Sequence, residues 1–255
     1  MADMSKKKLI SIRMFCLTAL ILMSDVNRAD TVRVAVASNF SATLKKLVPG
    51  FEAENNHKIS ISSASTGKLY AQIVRGAPFD MFFSADAKRA DLLLKHNIAI
   101  SSELYAKGQL VYIAKGIKKG QCFKYLASDK TNKMAIANPK IAPYGLAAAE
   151  VLRHLGLRES YQSRLLMGEN ILQTYQFIAT GNVGAGFIAR STVIASQELE
   201  DFCHWRVPEN MYSPIKQKMA LIKKAASKPV VQSFREYIKS AKAKKIILES
   251  GYAVE

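Results

Sequence analysis

The chain is 255 residues long, 22% of them charged, with a formal net charge of +17. This length is enough for two modest domains with a well-buried core. The basic residues are spread along the chain, and no basic block is interleaved with aromatic residues in the way a nucleic-acid groove requires. The charge therefore favours a basic, solvated surface with no nucleic-acid partner, and a polyanion-binding protein is the alternative.

The first 29 residues have the order of a secretory signal. Lys6, Lys7 and Lys8 precede an apolar stretch, residues 14–23, that is too short to span a bilayer. We predict a signal peptide over residues 1–29 that directs the protein to the periplasm. These residues hold five basic and two acidic side chains, so their removal leaves a net charge of +14. No later segment is apolar enough to cross a membrane, and we predict a protein that is not membrane-embedded.

From Thr31 onward, short β-branched runs alternate with helical patterns, which is typical of an α/β protein with largely parallel sheets. In the first half, the patterns predict strands at 31–37, 57–65 and 79–85 and helices at 40–54, 67–76 and 87–97. Leu44, Leu47 and Phe51 share one face of the first helix. A strand at 108–116 then leads into a passage rich in Lys, Gly and Asn, residues 116–132.

The second half repeats this scheme. The patterns predict strands at 133–139, 183–189 and 211–225 and helices at 143–156, 169–181 and over the closing residues 228–252. Pro143 and Gly156 stand where helix starts and ends prefer them. We predict residues 30–114 as the first part of one domain, 115–211 as a second domain, and 212–255 as the return to the first.

Two cysteines, Cys122 and Cys203, lie beyond the predicted signal. An oxidising compartment would let them pair if the fold brings them close, and the sequence leaves this open. The four histidines stand apart, and Cys203 and His204 are neighbours without the spacing of a metal site. We therefore predict neither a bound cofactor nor a protein-ligated metal.

Four breaks between a strand and a helix share a small, polar or Gly/Pro character: Ser38-Asn39, Ser65-Thr66-Gly67, Pro143-Tyr144-Gly145 and Glu169-Asn170-Ile171. The first turn of a helix has backbone N–H groups without an intrahelical partner and carries partial positive charge, so it binds anions without a charged side chain. Each break alone is typical of a helix cap. The four together indicate an anion site at the carboxyl ends of the strands, where open α/β sheets bind ligands.

A catalytic alternative rests on Ser65 and Lys68, which match the S-x-x-K motif of penicillin-binding proteins and class A β-lactamases. The partner motifs S-D-N and K-T-G do not follow downstream. A serine hydrolase using Ser65 and Lys68 is thus an alternative of another class, and the main interpretation is a protein that is not an enzyme.

The segments "VAVASNFSATL", "GKLYAQIVRGAPFDMFFSAD", "IANPKIAPYGLAAAEVL" and "TGNVGAGFIARS" together resemble the periplasmic molybdate-binding proteins, the receptors of molybdate ABC transporters. The resemblance covers essentially the whole chain after the signal. It implies a two-lobed periplasmic-binding-protein fold of type II, each lobe a mostly parallel sheet flanked by helices, with the ligand cleft between the lobes. It also implies molybdate or tungstate as ligand, an ABC permease and its ATPase as partners, and a monomer.

The resemblance carries over to five residues, which it implies as ligands of the oxyanion: Ser38, Asn39, Thr66, Tyr144 and Ile171, the last through its backbone N–H. Molybdenum would be held only as part of the molybdate. One branch of the family has a ligand tyrosine where this sequence has Ala189, and we infer that Tyr144 supplies the phenol instead.

The chemistry of the four breaks agrees with this resemblance. A fully deprotonated tetrahedral dianion only accepts hydrogen bonds, so a site of donors suits it and disfavours protonated phosphate. Discrimination against the smaller sulfate would depend on the size of the cavity, so a receptor for sulfate or another tetrahedral oxyanion is the alternative of the same class.

Overall fold

A computed structural model describes residues 30–128, 132–196 and 199–254, and the predicted signal peptide lies outside the described residues. The first half of the chain forms β1 (Thr31–Ala37), α1 (Ser38–Asn55), β2 (Lys58–Ala64), α2 (Thr66–Val74), β3 (Met81–Ser84), α3 (Ala87–Lys95) and β4 (Ala99–Gly108). Every strand of this half except β4 leads into a helix. This order is the strand and helix alternation that the sequence predicts for the first domain.

The chain continues with β5 (Leu110–Lys115), α4 (Cys122–Ser128), β6 (Met134–Ala137), α5 (Pro143–His154), α6 (Arg158–Gln162), β7 (Leu165–Gly168), α7 (Ile171–Ala179), β8 (Ala185–Ala189), α8 (Arg190–Ala195) and β9 (Phe202–Arg206). It ends with β10 (Ile215–Ile222), α9 (Pro229–Lys239) and α10 (Ala241–Glu249). Short 3₁₀ turns at Glu209–Met211 and Lys223–Ala225 flank β10.

The strands form two five-stranded sheets with the orders β2-β1-β3-β10-β4 and β7-β6-β8-β5-β9. We call the first sheet with its helices lobe I and the second lobe II. In each sheet four strands run in one direction, and the strand in the fourth place, β10 or β5, is antiparallel to both neighbours. Along the chain, β5 is the first strand after the crossing into lobe II, and β10 is the first strand after the return to lobe I. The predicted fold class of two helix-flanked, mostly parallel sheets is confirmed.

Strand β1, which lies inside the lobe I sheet between β2 and β3, is buried on both faces, which explains its continuous apolar run. Val34 and Val36 pack on the side of α1, where Leu44, Leu47 and Phe51 form the predicted apolar face. Ala35 faces the other way and packs with residues of α2 and α3. The helices therefore cover both faces of the sheet. Helix α1 begins at Ser38, directly after the carboxyl end of β1.

Three strands that the sequence analysis did not predict, β4, β7 and β9, lie at the edges of the two sheets. An edge strand has one exposed side, so its residues are more polar and its alternation is weaker. In β4, Ser101 to Leu104 are only partly buried, and β7 has only four residues. The short helix α4 lies inside the passage rich in Lys, Gly and Asn, where no helix was predicted. Among the described residues, no helix is both long and apolar enough to cross a membrane.

A disulfide joins Cys122 at the start of α4 to Cys203 in β9. Both cysteines are buried in the lobe II core, and their Cα atoms are 5.6 Å apart. The pairing that the sequence left open is therefore present, and it ties α4 to β9 at the edge of the lobe II sheet.

Replacing both cysteines by serine is expected to lower the free energy of unfolding by about 4 kcal/mol, because the bond closes a loop with a sequence separation of 81 residues. Chemical denaturation of the oxidised wild type and the double variant measures this difference. Wild type unfolded in the presence of a reductant serves as the control and should approach the variant. Equal midpoints for all three samples would contradict the expectation.

Candidate functional site

Two helices of lobe I begin at the carboxyl ends of neighbouring parallel strands. Helix α1 begins at Ser38 immediately after β1, and α2 begins at Thr66 one residue after β2. The N-cap residues are Ala37 and Ser65, and neither makes a side-chain capping bond. Ser38 and Asn39 therefore lie in the first turn and do not occupy the capping position. Their backbone N–H groups belong to the set that has no partner within the helix.

Two helices of lobe II present their first turns in the same way. Helix α5 begins at Pro143, which has no N–H to satisfy. Helix α7 begins at Ile171, and its N-cap residue Asn170 accepts hydrogen bonds from the N–H groups of Leu172 and Gln173, both at 3.0 Å. This cap satisfies the second and third N–H groups of α7 and leaves that of Ile171 for a partner outside the helix.

The four helix starts meet at a small cavity of about 10 Å³ between the lobes. Its lining consists of Ala37, Ser38, Asn39, Ser65, Thr66, Ala85, Ala142, Pro143, Tyr144, Asn170 and Ile171. All five residues predicted as ligands are among them, and their role as ligands stays a prediction. Of the described residues that line the cavity, none has a charged side chain. This volume is far below the roughly 300–1,000 Å³ of pockets for drug-sized organic ligands, so the cavity excludes such molecules and suits only a compact ligand.

Hydroxyl groups supply side-chain donors to this cavity. The Thr66 Oγ1 atom accepts a hydrogen bond from the Ala85 N–H at 3.3 Å, which leaves its own proton to donate. Ser65 lies beside it in the lining and is 2% exposed. Because a hydroxyl both donates and accepts, Thr66 can hold the loop after β3 and still offer a proton to a ligand.

The amide of Asn39 is used within lobe I. Its Nδ2 donates to Gln217 Oε1 at 2.8 Å and to Tyr252 Oη at 3.2 Å. Asn39 is one of the predicted ligands, but both contacts of its amide are with the surrounding protein. Asn39 therefore lines the cavity with its backbone N–H available, and its side chain fixes the first turn of α1.

Gln217 connects this turn to lobe II. Its Nε2 donates to Tyr144 Oη at 3.3 Å, and its Oε1 accepts from Tyr105 Oη at 3.0 Å. Because Tyr144 Oη accepts this bond, its own proton is free to be donated elsewhere. Burial raises the pKa of Tyr144 well above its usual value, so the phenol stays a neutral donor. A Cβ at Gly108, where the chain leaves lobe I, would lie 2.3 Å from Tyr144 Oη, so a larger residue there would displace the phenol.

A second bridge to lobe II runs through Tyr252. Its hydroxyl donates to the Asn39 carbonyl oxygen at 2.6 Å and lies 2.9 Å from Ser191 Oγ of α8. Burial raises the pKa of Tyr252 to about 12 and that of Tyr105 well above its usual value. The polar network behind the cavity is therefore neutral, and it would not repel an anion.

Contacts at the rim of the cavity also join the lobes. The Gly67 N–H donates to the Ile141 carbonyl oxygen at 2.9 Å, and Arg89 Nη2 donates to the Lys140 carbonyl oxygen at 2.9 Å. Lys68 Nζ lies 2.5 Å from Glu169 Oε2, with both side chains 40% or more exposed. Lys68 is therefore paired with a carboxylate across the lobes and is not part of the cavity lining.

Several residues of this site were not predicted. Gln217, Tyr252 and Ser191 were all missed, whereas the cap at Asn170 agrees with the expectation that such a break is typical of a helix cap. The signal for Gln217 is its place in β10, where the inward positions Ile215, Gln217 and Met219 alternate with exposed or half-exposed lysines. A polar residue at an inward position must find partners inside the protein.

Ala189 lies at the buried end of β8 outside the cavity lining. Within the described residues, no cluster of three His, Cys, Asp or Glu side chains forms a metal site.

Comparison with known proteins supports the resemblance seen in the sequence. The chain is 38% identical to the molybdate-binding protein ModA of Azotobacter vinelandii over 92% of this chain and 94% of that one. It is 36% identical to the molybdate-binding protein ModA of Rhodobacter capsulatus over 89% and 90%. The solved structure of the Azotobacter vinelandii periplasmic molybdate-binding protein superposes with a TM-score of 0.81, covering 88% of this chain and 99% of that one.

A family model described as bacterial extracellular solute-binding protein matches residues 32–253. This range takes in every strand and helix described above except Thr31, the first residue of β1. The predicted resemblance to periplasmic molybdate-binding proteins is confirmed by the relatives, and the chain belongs to the bacterial extracellular solute-binding proteins.

Proposed function

We propose that this protein captures molybdate, and also tungstate, in the cavity between its lobes and delivers it to an ABC importer. The observation that carries the proposal is the convergence of four helix N-termini, two from each lobe, on a cavity lined only by neutral residues. Each first turn adds backbone donors and partial positive charge. Relatives that are named as molybdate-binding proteins support the choice of ligand.

The donor set favours a dianion that carries no proton. Backbone N–H groups and hydroxyls would meet each oxygen of molybdate, whereas a protonated phosphate oxygen needs an acceptor. Binding by neutral dipoles also avoids a buried lysine or arginine, whose charge would have no partner while the cavity holds no anion. The ligand is cargo, and we propose that no further cofactor takes part.

The serine hydrolase alternative lacks an activated nucleophile. Within the described residues, Ser65 Oγ has no hydrogen-bond partner, and Lys68 Nζ is paired with Glu169. A catalytic serine needs a base within hydrogen-bond reach. We therefore propose a receptor that is not an enzyme, that acts as a periplasmic monomer after removal of residues 1–29, and that meets a membrane permease and its ATPase.

A thermal-shift titration tests the choice of ligand. A ligand that binds only the folded state stabilises it by about 4 kcal/mol at a thousandfold excess over Kd, so molybdate and tungstate should raise the melting temperature by several degrees. Sulfate and phosphate at the same concentration are the comparison and should have little effect. If sulfate raised the melting temperature and molybdate did not, the protein would be a receptor for another oxyanion.

Alanine variants test whether dipoles or lysine charge hold the anion. Thr66→Ala removes a buried hydroxyl of the lining and is expected to weaken molybdate binding roughly tenfold or more, because hydrogen bonds to charged groups contribute about 1.5–3 kcal/mol. Asn39→Ala loosens the first turn of α1 and should have a comparable effect. Lys68→Ala removes an exposed cation and should change Kd less than about threefold. Isothermal titration calorimetry of the three variants measures this, and equal losses would show that lysine charge holds the anion.

A further inference from the structure

One hydroxyl in the cavity has no role in the fold. Among the residues that the structure describes, Ser65 Oγ is the buried side-chain oxygen that lacks a hydrogen-bond partner. The residue is 2% exposed and belongs to the cavity lining. Buried polar groups in native proteins nearly always have a partner, and an exception calls for an explanation such as a ligand.

The position of Ser65 makes its free hydroxyl unusual. It is the N-cap residue of α2, and an N-cap serine normally accepts a hydrogen bond from a backbone N–H of the first turn. Here the side chain makes no such bond. The N–H of Gly67, one of the two groups such a cap would satisfy, donates instead to the Ile141 carbonyl oxygen of lobe II.

We propose that Ser65 Oγ donates a hydrogen bond to an oxygen of the bound oxyanion, alongside the donors of Thr66. This proposal rests on the proposed function, because it assigns a further ligand residue to the same site. Its chemical basis is that a buried hydroxyl without a protein partner gains a full hydrogen bond when an unprotonated anion oxygen arrives. A ligand bond to this atom is therefore not offset by the loss of a bond within the protein.

The substitution Ser65→Ala separates this role from that of a cap. Removal of a hydrogen bond to a charged ligand is expected to raise the molybdate Kd roughly tenfold to a hundredfold. The ligand-free protein should melt at the same temperature as wild type or higher, because alanine removes a buried hydroxyl that has no partner. A capping serine would behave in the opposite way, since its loss lowers the stability of the ligand-free protein.

Isothermal titration calorimetry with molybdate and thermal melts without ligand give the two readouts. Ser63→Ala is the matched control, because Ser63 is an exposed serine two residues earlier in β2, and its variant should match wild type in both. An unchanged Kd for Ser65→Ala would overturn the proposal, and so would a raised Kd together with a lowered ligand-free melting temperature.

The same experiment keeps this proposal apart from the proposed function. If wild type binds molybdate and Ser65→Ala binds it equally well, only the role of Ser65 is wrong. If wild type binds sulfate and not molybdate, the choice of ligand is wrong, and the Kd for sulfate then tests Ser65 in the same way.

Discussion

Gly67→Val is expected to weaken molybdate binding roughly a thousandfold while leaving the ligand-free protein as stable as wild type. Gly67 lies in the first turn of α2 in lobe I, and it touches lobe II directly. A Cβ built on it would lie 2.9 Å from Ile141 Cβ and 3.0 Å from Ile141 Cα. Contacts this close to a Cα are not relieved by rotating a side chain, so the lobes must move apart.

The size of the effect follows from the donors that separation removes. With the lobes apart, Ser38, Asn39 and Thr66 keep their places, but Tyr144 and Ile171 no longer reach the same ligand. Each hydrogen bond to a charged group contributes about 1.5–3 kcal/mol, so the loss of two corresponds to a Kd raised by about a thousandfold. Calorimetry measures the Kd, and small-angle X-ray scattering shows whether molybdate still makes the variant more compact.

The control is a valine at a glycine whose added side chain would meet no other atoms. Gly184 precedes β8 in lobe II, and a Cβ at that position meets no atom within 4 Å. Gly184→Val should therefore bind molybdate as wild type does. If Gly67→Val bound within tenfold of wild type and still contracted with ligand, the Gly67 to Ile141 contact would not limit the approach of the lobes.

The parts of the fold that the sequence predicts are those whose signal is local. Buried interior strands such as β1 and β6 are short apolar runs, and the helices after them begin at Ser38 and Pro143, residue types that are typical of helix starts. The strands β4, β7 and β9 were missed because an edge strand is half solvated and has no continuous apolar run. Their places in the sheets depend on pairing with strands distant in the sequence, which no local pattern encodes.

The same contrast between local and long-range signals applies to the residues of the candidate site. The five residues that the resemblance implies as ligands line the cavity, and each lies at a strand-to-helix break, which is a local feature of the sequence. Gln217 and Tyr252 bind Asn39 across 178 and 213 residues of sequence, and only the folded chain brings them together. Consequently the donors facing the cavity were predictable, whereas the neutral network that fixes Asn39 and Tyr144 behind it was not.

Because the cavity and the network behind it are neutral, the basic residues behind the net charge of +17 act outside the cavity. The described residues that line the cavity are all neutral, and Lys68 at its rim is offset by Glu169. Basic residues therefore contribute to the field that attracts anions from a distance and not to the contacts that hold one. A substitution that places charge inside the lining is the sharpest test of this separation.

Asn39→Asp is expected to abolish detectable molybdate binding, with a Kd raised at least a thousandfold. The change preserves size but puts a carboxylate at the cavity. At an assumed distance of ~5 Å and an effective dielectric constant of ~20, its repulsion of a dianion is roughly 6 kcal/mol before screening. The fold should tolerate the change, because a carboxylate in the first turn of α1 interacts favourably with the helix dipole and the Gln217 amide can turn its Nε2 toward the new acceptor.

Two further variants isolate the charge as the cause. Asn182→Asp makes the same change at an exposed position outside the cavity lining and should bind molybdate as wild type does, because surface charges are screened. Asn39→Ala removes the same amide without adding charge and should lose only about tenfold. Calorimetry of all three measures the difference. If Asn39→Asp bound as well as Asn39→Ala, the anion would lie too far from Asn39 to sense its charge, and the four helix starts would not share one ligand.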